Sequence, residues 1–299
     1  MLINREKSAH WYKVSGSGEV TPFFEVPKKD GKGMKAVTIR EAREVGALAS
    51  VTSILKVLAK PGLEAWRMEQ GIISALTLPR KFESIIEWKK RIPDLGFSDV
   101  LEWIYNNPPL PIEDLTVFAK RVVEDSEKEG KEAGDFGTAI HDAISGWITN
   151  RRMPAEPVSK YLTQFTQWFE TNIKEAIYVE KLVHHTALKY AGTMDFLGKL
   201  VGGDSVICDW KTQRVKRNAK GEKVPVFYED SYPLQLCAYA MCDELVEPTN
   251  ASWVALFSVI IDSSEPGPVY VKEWQPAEHY WKMFMHCLEL WRFTKSYNV

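Results

Sequence analysis

The fold is decided by residues 192–211, which read GTMDFLGKLVGGDSVICDWK. Residues 193–201 and 205–211 have the pattern of two β-strands. The residues between them, Gly202-Gly203-Asp204, are typical of a tight turn. The stretch therefore predicts an antiparallel hairpin.

The register of this hairpin decides whether its charged side chains meet. With a three-residue loop at 202–204, Asp195 lies opposite Lys211, and Asp209 is the diagonal neighbour of Asp195. Because side chains alternate along a strand, all three then share one face. A two-residue loop would turn Asp195 to the other face. On the face opposite to the charged set, the prediction places Val206, Cys208 and Trp210 in the core.

Two carboxylates and one ammonium group on one patch of sheet suggest a cation site, because directly opposed like charges are destabilising. Mg²⁺ prefers oxygen ligands and accepts one or two protein carboxylates together with a substrate phosphate. Such an ion polarises a phosphoryl oxygen, and Lys211 would stabilise the charge that develops there. The backbone carbonyl of Trp210 is predicted as a further ligand. A plainer interpretation stays open, in which the set forms exposed salt bridges worth about 0–1 kcal/mol each.

Helices and further strands are predicted on both sides of the hairpin. The predicted helices run from Thr52 or Ser53 to Leu58, then over Leu63–Leu76, Asp114–Glu132, Gly134–Trp147, Val158–Ala176 and Pro233–Cys242, and from about Pro276 onward. The further predicted strands are Phe23–Val26, Ala36–Ile39, Ile177–His184, Ser252–Ile260 and Val269–Trp274. This order predicts an α/β (α+β) fold with a central mixed sheet flanked by helices. We divide the chain into an N-terminal extension and helical region, residues 1–133, and a core, residues 134–299.

The bulk composition excludes several classes of protein. A formal net charge of −2 argues against a strongly basic nucleic-acid binder, so any nucleic-acid contact must come from a local patch. The four cysteines form no Cys-x-x-Cys pair, which argues against zinc or an iron–sulfur cluster. The first 30 residues are too polar for a secretory signal, and no apolar run is long enough to span a membrane. We therefore expect a cytoplasmic, soluble protein.

Four short motifs in this order resemble the PD-(D/E)xK nuclease superfamily, in particular its RecB-type and phage exonuclease branch. They are Gly137-Thr138-Ala139-Ile140-His141 on a predicted helix, Gly192-Thr193-Met194-Asp195, Asp209-Trp210-Lys211-Thr212, and Gln235 to Tyr239 on a helix. The resemblance covers roughly residues 134–240. The chain lacks the cysteines that flank the iron–sulfur cluster of some relatives, and so looks closer to phage exonucleases and mitochondrial genome maintenance exonucleases.

The resemblance implies a restriction-endonuclease-like core and a role for each motif residue. His141, Asp195, Asp209 and the Trp210 carbonyl would bind Mg²⁺ or Mn²⁺. Asp195, Asp209, Lys211, Gln235 and Tyr239 would be the catalytic set, and Glu180 could assist it. For His141 a partly buried structural histidine stays open as the alternative, and for Tyr239 a purely core role.

DNA is the partner that the resemblance implies, and a basic stretch follows the second strand of the hairpin. Residues 211–223 contain six Lys or Arg and one acid, and such a loop can contact phosphates without reading sequence. The predicted DNA contacts are Thr212, Arg214, Lys216 and Arg217, although a solvated loop is the alternative.

We expect metal-dependent DNA exonuclease activity in recombination, repair or replication. A phage-encoded protein and a partner protein from those processes are compatible with this expectation. Two alternatives stay open. One is a structure-selective or site-specific endonuclease of the same fold. The other is a non-catalytic DNA-binding protein.

Overall fold

The hairpin quoted above lies at the centre of a mixed sheet in the computed structural model of the chain. The structure describes residues 10–16, 18–28, 31–94, 96–249, 254–275 and 277–297. The strands are β1 (Trp11–Val14), β2 (Val20–Pro22), β3 (Glu25–Pro27), β4 (Met34–Ala36), β5 (Leu48–Ser50), β6 (Ile173–His185), β7 (Tyr190–Leu200), β8 (Ser205–Gln213), β9 (Lys216–Arg217), β10 (Lys223–Val224), β11 (Ala255–Asp262) and β12 (Tyr270–Glu273). The helices are α1 (Ile39–Glu44), α2 (Val51–Ile54), α3 (Pro61–Thr77), α4 (Ile85–Lys89), α5 (Phe97–Asn106), α6 (Leu115–Asn150), α7 (Val158–Asn172), α8 (Tyr232–Ala240) and α9 (Ala277–Lys295), with 3₁₀ turns at Leu55–Val57 and Asp243–Leu245.

Eight of the described strands form the main sheet, in the order β12-β11-β8-β7-β5-β1-β2, with β6 on the other edge of β7. The β8–β11 and β5–β7 pairs are parallel, and the remaining pairs in the sheet are antiparallel. Helices cover both faces. The predicted α/β class with a mixed central sheet flanked by helices is therefore confirmed.

Along one edge of β7 the pairing is interrupted. Strand β6 occupies the whole of one edge, from Leu200 to Tyr190. On the other edge, β8 pairs with residues 196–199 and β5 pairs with Tyr190 and Ala191. Residues 192–195 lie between these two partners, so the sheet forks at the position of Asp195.

The hairpin register differs from the prediction by two residues. Phe196 pairs with Cys208 and Lys199 with Ser205, and the backbone N–H of Leu200 donates to the Asp204 carbonyl over 2.8 Å. The turn is therefore centred on residues 201–203, with Gly203 at a φ of +100° that favours glycine. Because the shift is even, the faces are unchanged. Extending this register sets Asp195 opposite Asp209, not opposite Lys211.

Of the three hydrophobic clusters among the described residues, the two larger ones form layers against the sheet. The first lies under α6 and α7 and contains the buried side chains of Val206, Cys208 and Trp210, as predicted. The second lies under α8 and α9 and contains Ile207 and Leu236. The charged side chains of β8 therefore project toward the α8 layer, since they alternate with the first set.

The chain divides into two compact units, Met1–Ala59 with Phe136–Val299, and Lys60–Asp135. The sequence predicts a boundary at 133/134, with residues 1–133 separate from the core. The N-terminal residues join the core because β1, β2 and β5 are strands of its sheet. Their short length, three or four residues each, leaves little periodicity to detect.

Several predicted boundaries also moved. Two predicted helices, Asp114–Glu132 and Gly134–Trp147, are one continuous helix, α6, because an isolated glycine inside a helix is tolerated. The first predicted helix is capped by Ser50, whose side chain accepts the Ser53 N–H, and not by Thr52 or Ser53. Of the predicted strand Ser252–Ile260, residues 252–253 lie outside the described part of the chain.

The unit Lys60–Asp135 is helical and rich in charge. Glu113 is its one buried acidic residue among those described, and it accepts two hydrogen bonds from Arg121, of 2.7 and 2.8 Å. Trp88 donates its indole N–H to the Asn107 carbonyl over 2.8 Å. Across the described segments, no helix combines the length and apolar character needed to cross a lipid bilayer.

Candidate functional site

The fork of the sheet places the carboxylate of Asp195 where a strand partner would otherwise be. Oδ2 of Asp195 accepts the backbone N–H of Trp210 over 2.8 Å. That N–H lies beyond the last β7–β8 pair and needs an acceptor, because a buried backbone donor left unpaired is costly. One oxygen of Asp195 is thus held by the backbone, and the other faces α6.

Three ligand-type side chains meet at this point. Nδ1 of His141, on α6, lies 3.7 Å from Oδ1 of Asp195 and 3.8 Å from Oε1 of Glu180, on β6. One ligand atom from each of the three residues lies within 4.8 Å of the others. Their side chains are 19%, 12% and 5% exposed for His141, Asp195 and Glu180, so solvent still reaches the cluster.

Glu180 enters this cluster through an unusual backbone. Its neighbours pair as Val179 with Phe196 and Lys181 with Met194, so Glu180 falls level with Asp195. Its φ is +49°, in the left-handed region that non-glycine residues seldom adopt. Strain of this kind persists where surrounding structure imposes it, and it is concentrated at functional sites.

The electrostatics of the cluster favour an added positive charge. Burial raises the pKa of Asp195, the charge of Glu180 raises it further, and His141 and Lys211 oppose the rise. Burial lowers the pKa of His141, but Asp195 and Glu180 outweigh it, so the net shift is upward. The two carboxylate oxygens within this span match the ligand chemistry of Mg²⁺ and Mn²⁺, and the imidazole nitrogen matches that of transition-metal ions. The residues present therefore fit a divalent ion.

Asp209 and Lys211 form an ion pair beside this cluster. Nζ of Lys211 lies 2.8 Å from Oδ1 and 2.7 Å from Oδ2 of Asp209. Asp209 is 2% exposed. Burial raises its pKa to about 6, because the nearby Asp195 adds to the effect and Lys211 offsets only part of it.

Helix α8 adds two polar side chains to the ion pair. Nζ of Lys211 also contacts Oε1 of Gln235 at 3.3 Å, and Nε2 of Gln235 donates to the Tyr239 hydroxyl at 3.3 Å. Gln235 and Tyr239 are four residues apart, so they share one helix face. The structure therefore brings together the lysine, the glutamine and the tyrosine that the sequence had singled out.

The glycines of two motifs are required by close approaches. A Cβ on Gly192 would lie 2.7 Å from Cε1 of Tyr239, and a Cβ on Gly137 would lie 2.8 Å from Oγ1 of Thr212. Both distances are shorter than van der Waals contact. Gly192 therefore lets the Tyr239 ring pack against the backbone of β7, and Gly137 lets the Thr212 side chain pack against the backbone of α6.

The predicted ligand set differs from the observed grouping. His141 and Asp195 meet as expected, but the third member is Glu180, while Asp209 is engaged by Lys211. The backbone N–H of Trp210 donates to Asp195, whereas the prediction concerns the Trp210 carbonyl as a metal ligand. Ligation by Asp209 stays a prediction.

Tyr232 was missed. It lies at the start of α8, one turn before Gln235, and its ring centroid is 5.3 Å from Nζ of Lys211. Burial raises the pKa of its hydroxyl, and Asp209 raises it further, so the phenol is neutral at physiological pH. The sequence signal was its three-residue spacing from Gln235, which puts both on one helix face.

The basic segment, residues 211–223, is partly paired with acids. Nη2 of Arg217 lies 2.8 Å from Oε1 of Glu265, and Nζ of Lys223 contacts Asp262 and, at 2.6 Å, Glu265. These acids lie at and just after the end of β11, which runs parallel to β8, so the two strand ends coincide. Among the other predicted DNA contacts, Thr212 packs against Gly137, and Arg214 and Lys216 are exposed.

Comparison with models of known protein families and with curated proteins finds no match to this sequence. The main features of the site are the three-ligand cluster at the fork and the ion pair that adjoins it.

Proposed function

We propose that the chain is a divalent-metal-dependent DNA exonuclease that hydrolyses phosphodiester bonds on a restriction-endonuclease-like core of the PD-(D/E)xK type. The observation that carries the proposal is the meeting of His141, Glu180 and Asp195 within 4.8 Å, beside the Asp209–Lys211 pair. A structural salt bridge needs one acid for each base. This site has three carboxylates around one lysine and one histidine, two of them with raised pKa values.

Mg²⁺ or Mn²⁺ would be held by His141, Asp195 and Glu180, with Asp209 close by. When bound, the ion supplies the positive charge that stabilises the developing charge on the phosphoryl group and that activates water near neutral pH. The backbone N–H of Trp210 fixes the orientation of Asp195, so that Oδ1 of Asp195 is already oriented to bind the ion.

Lys211 is the residue placed to act on the substrate. Its ammonium has three N–H donors. Asp209 takes one and the side chain of Gln235 another, which leaves one for a phosphate oxygen or for the attacking water. The Tyr232 ring also lies beside the ammonium. The lysine is therefore preorganised to stabilise negative charge in the transition state.

The proposal is tested by digestion of three DNAs, an end-labelled linear duplex, an end-labelled single strand and an internally labelled closed circle. Each is incubated with Mg²⁺, with Mn²⁺ and with chelator. An exonuclease degrades linear DNA only with metal and leaves the closed circle intact. Cutting of the circle would instead support an endonuclease of the same fold. Binding without cleavage of any DNA would support a non-catalytic DNA-binding protein.

Two variants link activity to the site. Asp209→Asn and Lys211→Ala should each lower the rate by about 10²–10⁴-fold, as loss of a transition-state charge contact does. Asp204→Asn in the hairpin turn and Lys174→Ala on β6 make the same charge changes at exposed positions and should keep the wild-type rate. Activity that survives both site variants, with folding unchanged by circular dichroism, contradicts the proposal.

A further inference from the structure

A cavity of about 460 Å³ lies in the sheet unit, among elements that contribute no residue to the cluster of His141, Glu180 and Asp195, called the metal cluster below. Its wall combines residues from the start of β1, from α1, from α2 with the following 3₁₀ turn, and from α9. The polar members are His10, Ser53, Lys56, Thr294 and Lys295. Among the described residues that line the cavity there is no carboxylate, although acids outnumber bases in the chain, 40 to 38.

The floor of the cavity is apolar and aromatic. Trp11 and Trp291 are buried there, with ring centroids 6.0 Å apart. Cavities for small ligands typically have volumes of about 300–1,000 Å³, with mostly apolar walls and a few convergent polar groups. An apolar floor beneath a cationic rim suits a ligand that has a flat, weakly polar part and a negatively charged part.

Hydrogen bonds connect two of the polar lining residues, His10 and Ser53. Ser50 donates its hydroxyl to Oγ of Ser53 over 2.8 Å, and Oγ of Ser53 lies 3.2 Å from Nδ1 of His10. When Ser53 donates to Nδ1, the imidazole can donate from Nε2. His10 is then a third donor side chain among the lining residues, together with Lys56 and Lys295.

The carboxyl-terminal end of α9 would by itself oppose an anion, because the helix dipole is negative there. Three contacts counter this effect. Arg43 donates from Nη2 to the Lys295 carbonyl over 3.0 Å, and the N–H groups of Ser296 and Tyr297 donate to Phe293 and Arg292. The guanidinium of Arg43 also adds a positive charge beside the cavity.

We propose that this cavity binds the phosphate group of a nucleotide, with the base against the aromatic floor and the phosphate between Lys56, Lys295 and His10. The site does not require the metal cluster, since none of its lining residues belongs to that cluster. The nucleotide can come from two sources, a free mononucleotide or the terminal residue of a DNA strand.

Binding is measured by isothermal titration calorimetry in the presence of chelator, so that the metal cluster makes no contribution. The ligands are thymidine monophosphate, thymidine and inorganic phosphate. We expect the monophosphate to bind most tightly and thymidine at least tenfold more weakly. Equal affinity for thymidine and its monophosphate, or no measurable binding of the monophosphate, would overturn the proposal.

Variants locate the site. The double variant Lys56→Ala/Lys295→Ala should weaken binding of the monophosphate about 30-fold, because two positive charges close to the phosphate are removed together. Lys160→Ala/Lys174→Ala makes the same charge change at exposed positions outside the cavity and should have no effect. Equal affinity in both double variants rejects the assignment. The single variant Lys56→Glu gives the same test if the double variant is poorly folded.

The two sources are distinguished with Asp209→Asn as the background, which removes the proposed catalysis but leaves the cavity intact. Tighter binding of a 5′- or 3′-phosphorylated oligonucleotide than of its unphosphorylated form, lost in the Lys56 variant, identifies a strand end as the ligand. Equal binding of both oligonucleotides, with the mononucleotide retained, identifies a free nucleotide. If the protein shows no nuclease activity, both binding measurements can still be interpreted, because neither depends on cleavage.

Discussion

The ring of Tyr239 lies directly against the α-carbon of Gly192, so close that a Cβ there would be 2.7 Å from Cε1 and 3.0 Å from the hydroxyl. Tyr239 is 3% exposed and holds Gln235 through its hydroxyl. Gly192 lies three residues before Asp195 on β7. This single contact therefore fixes the distance between the strand of the metal cluster and the helix that positions Lys211.

Substitution of Gly192 by alanine should displace Tyr239 and disturb both parts of the site. We expect the Gly192→Ala variant to lose about 1–3 kcal/mol in the free energy of unfolding, as overpacked cores do, and to lose nuclease activity at temperatures where it is folded. Urea denaturation and the linear-DNA assay measure these two effects. Gly202→Ala is the matched control, because a Cβ there meets nothing within 4 Å. Equal stability of the two variants would show that Tyr239 moves without cost.

Removing a charge from the metal cluster should have opposite effects on the metal-free and metal-bound protein. Asp195 is costly as an anion without metal, because burial and Glu180 both raise its pKa. The variant Asp195→Asn keeps an oxygen that can accept the Trp210 N–H, so we expect it to melt at the same or a higher temperature than wild type in chelator. In Mn²⁺, wild type should gain stability by ligand linkage, and Asp195→Asn, His141→Ala and Glu180→Gln should gain much less.

Thermal melting with and without Mn²⁺ gives the readout for these variants. Glu175→Gln on the same strand as Glu180 is an exposed control and should respond to Mn²⁺ as wild type does. A wild-type melting temperature that does not depend on Mn²⁺ or Mg²⁺ at millimolar concentration would contradict the metal site.

The pair of Asp262 and Lys223 should make stability depend on acidity below pH 4. Burial would raise the pKa of Asp262, but hydrogen bonds from Lys223 and Ser264 outweigh it, so its pKa lies below the ordinary value of 3.8. A depressed folded-state pKa gives stability that is fully present above the unfolded pKa and is lost as the pH falls through the folded pKa. Asp262→Asn should therefore cost about 1–3 kcal/mol at neutral pH and flatten the acid limb of the stability profile.

Urea midpoints between pH 2.5 and 7 test this expectation, with Asp204→Asn in the exposed hairpin turn as the control. Parallel acid limbs for wild type and Asp262→Asn would show that other carboxylates cause the acid transition.

The basic segment should contact DNA through the lysines that are exposed and not through Arg217. Arg217 is paired with Glu265, so its charge is already partly neutralised. We expect Lys216→Ala and Lys220→Ala to weaken DNA binding several-fold and to lower the salt slope by about one each, while Arg217→Ala has a smaller effect. Fluorescence anisotropy over a range of salt concentrations, with metal chelated, measures both quantities. Larger loss for Arg217→Ala than for the two lysines would show that Glu265 releases it on binding.

Secondary structure around the site was largely predictable because the relevant elements are long. Strands β6 to β8 and helices α7 to α9 appear within a few residues of their predicted places, and the alternation of Val206, Cys208 and Trp210 gave the correct faces. The hairpin register was wrong by two residues, because a Gly-Gly-Asp turn permits more than one loop position and the side-chain pattern repeats every two residues. A shift of two residues keeps every side chain on the same face, so the sequence pattern cannot distinguish the two registers.

The sequence by itself determined which residue types carry the chemistry and which face of each strand they occupy, since alternation and helical periodicity are local properties. Tertiary structure alone decided which of them meet. Glu180 joins His141 and Asp195 because β6 places it level with Asp195, and Lys223 and Arg217 find acids because β8 and β11 end side by side. Contacts between residues far apart in the chain depend on how strands pair and helices pack, and local patterns do not encode those distances.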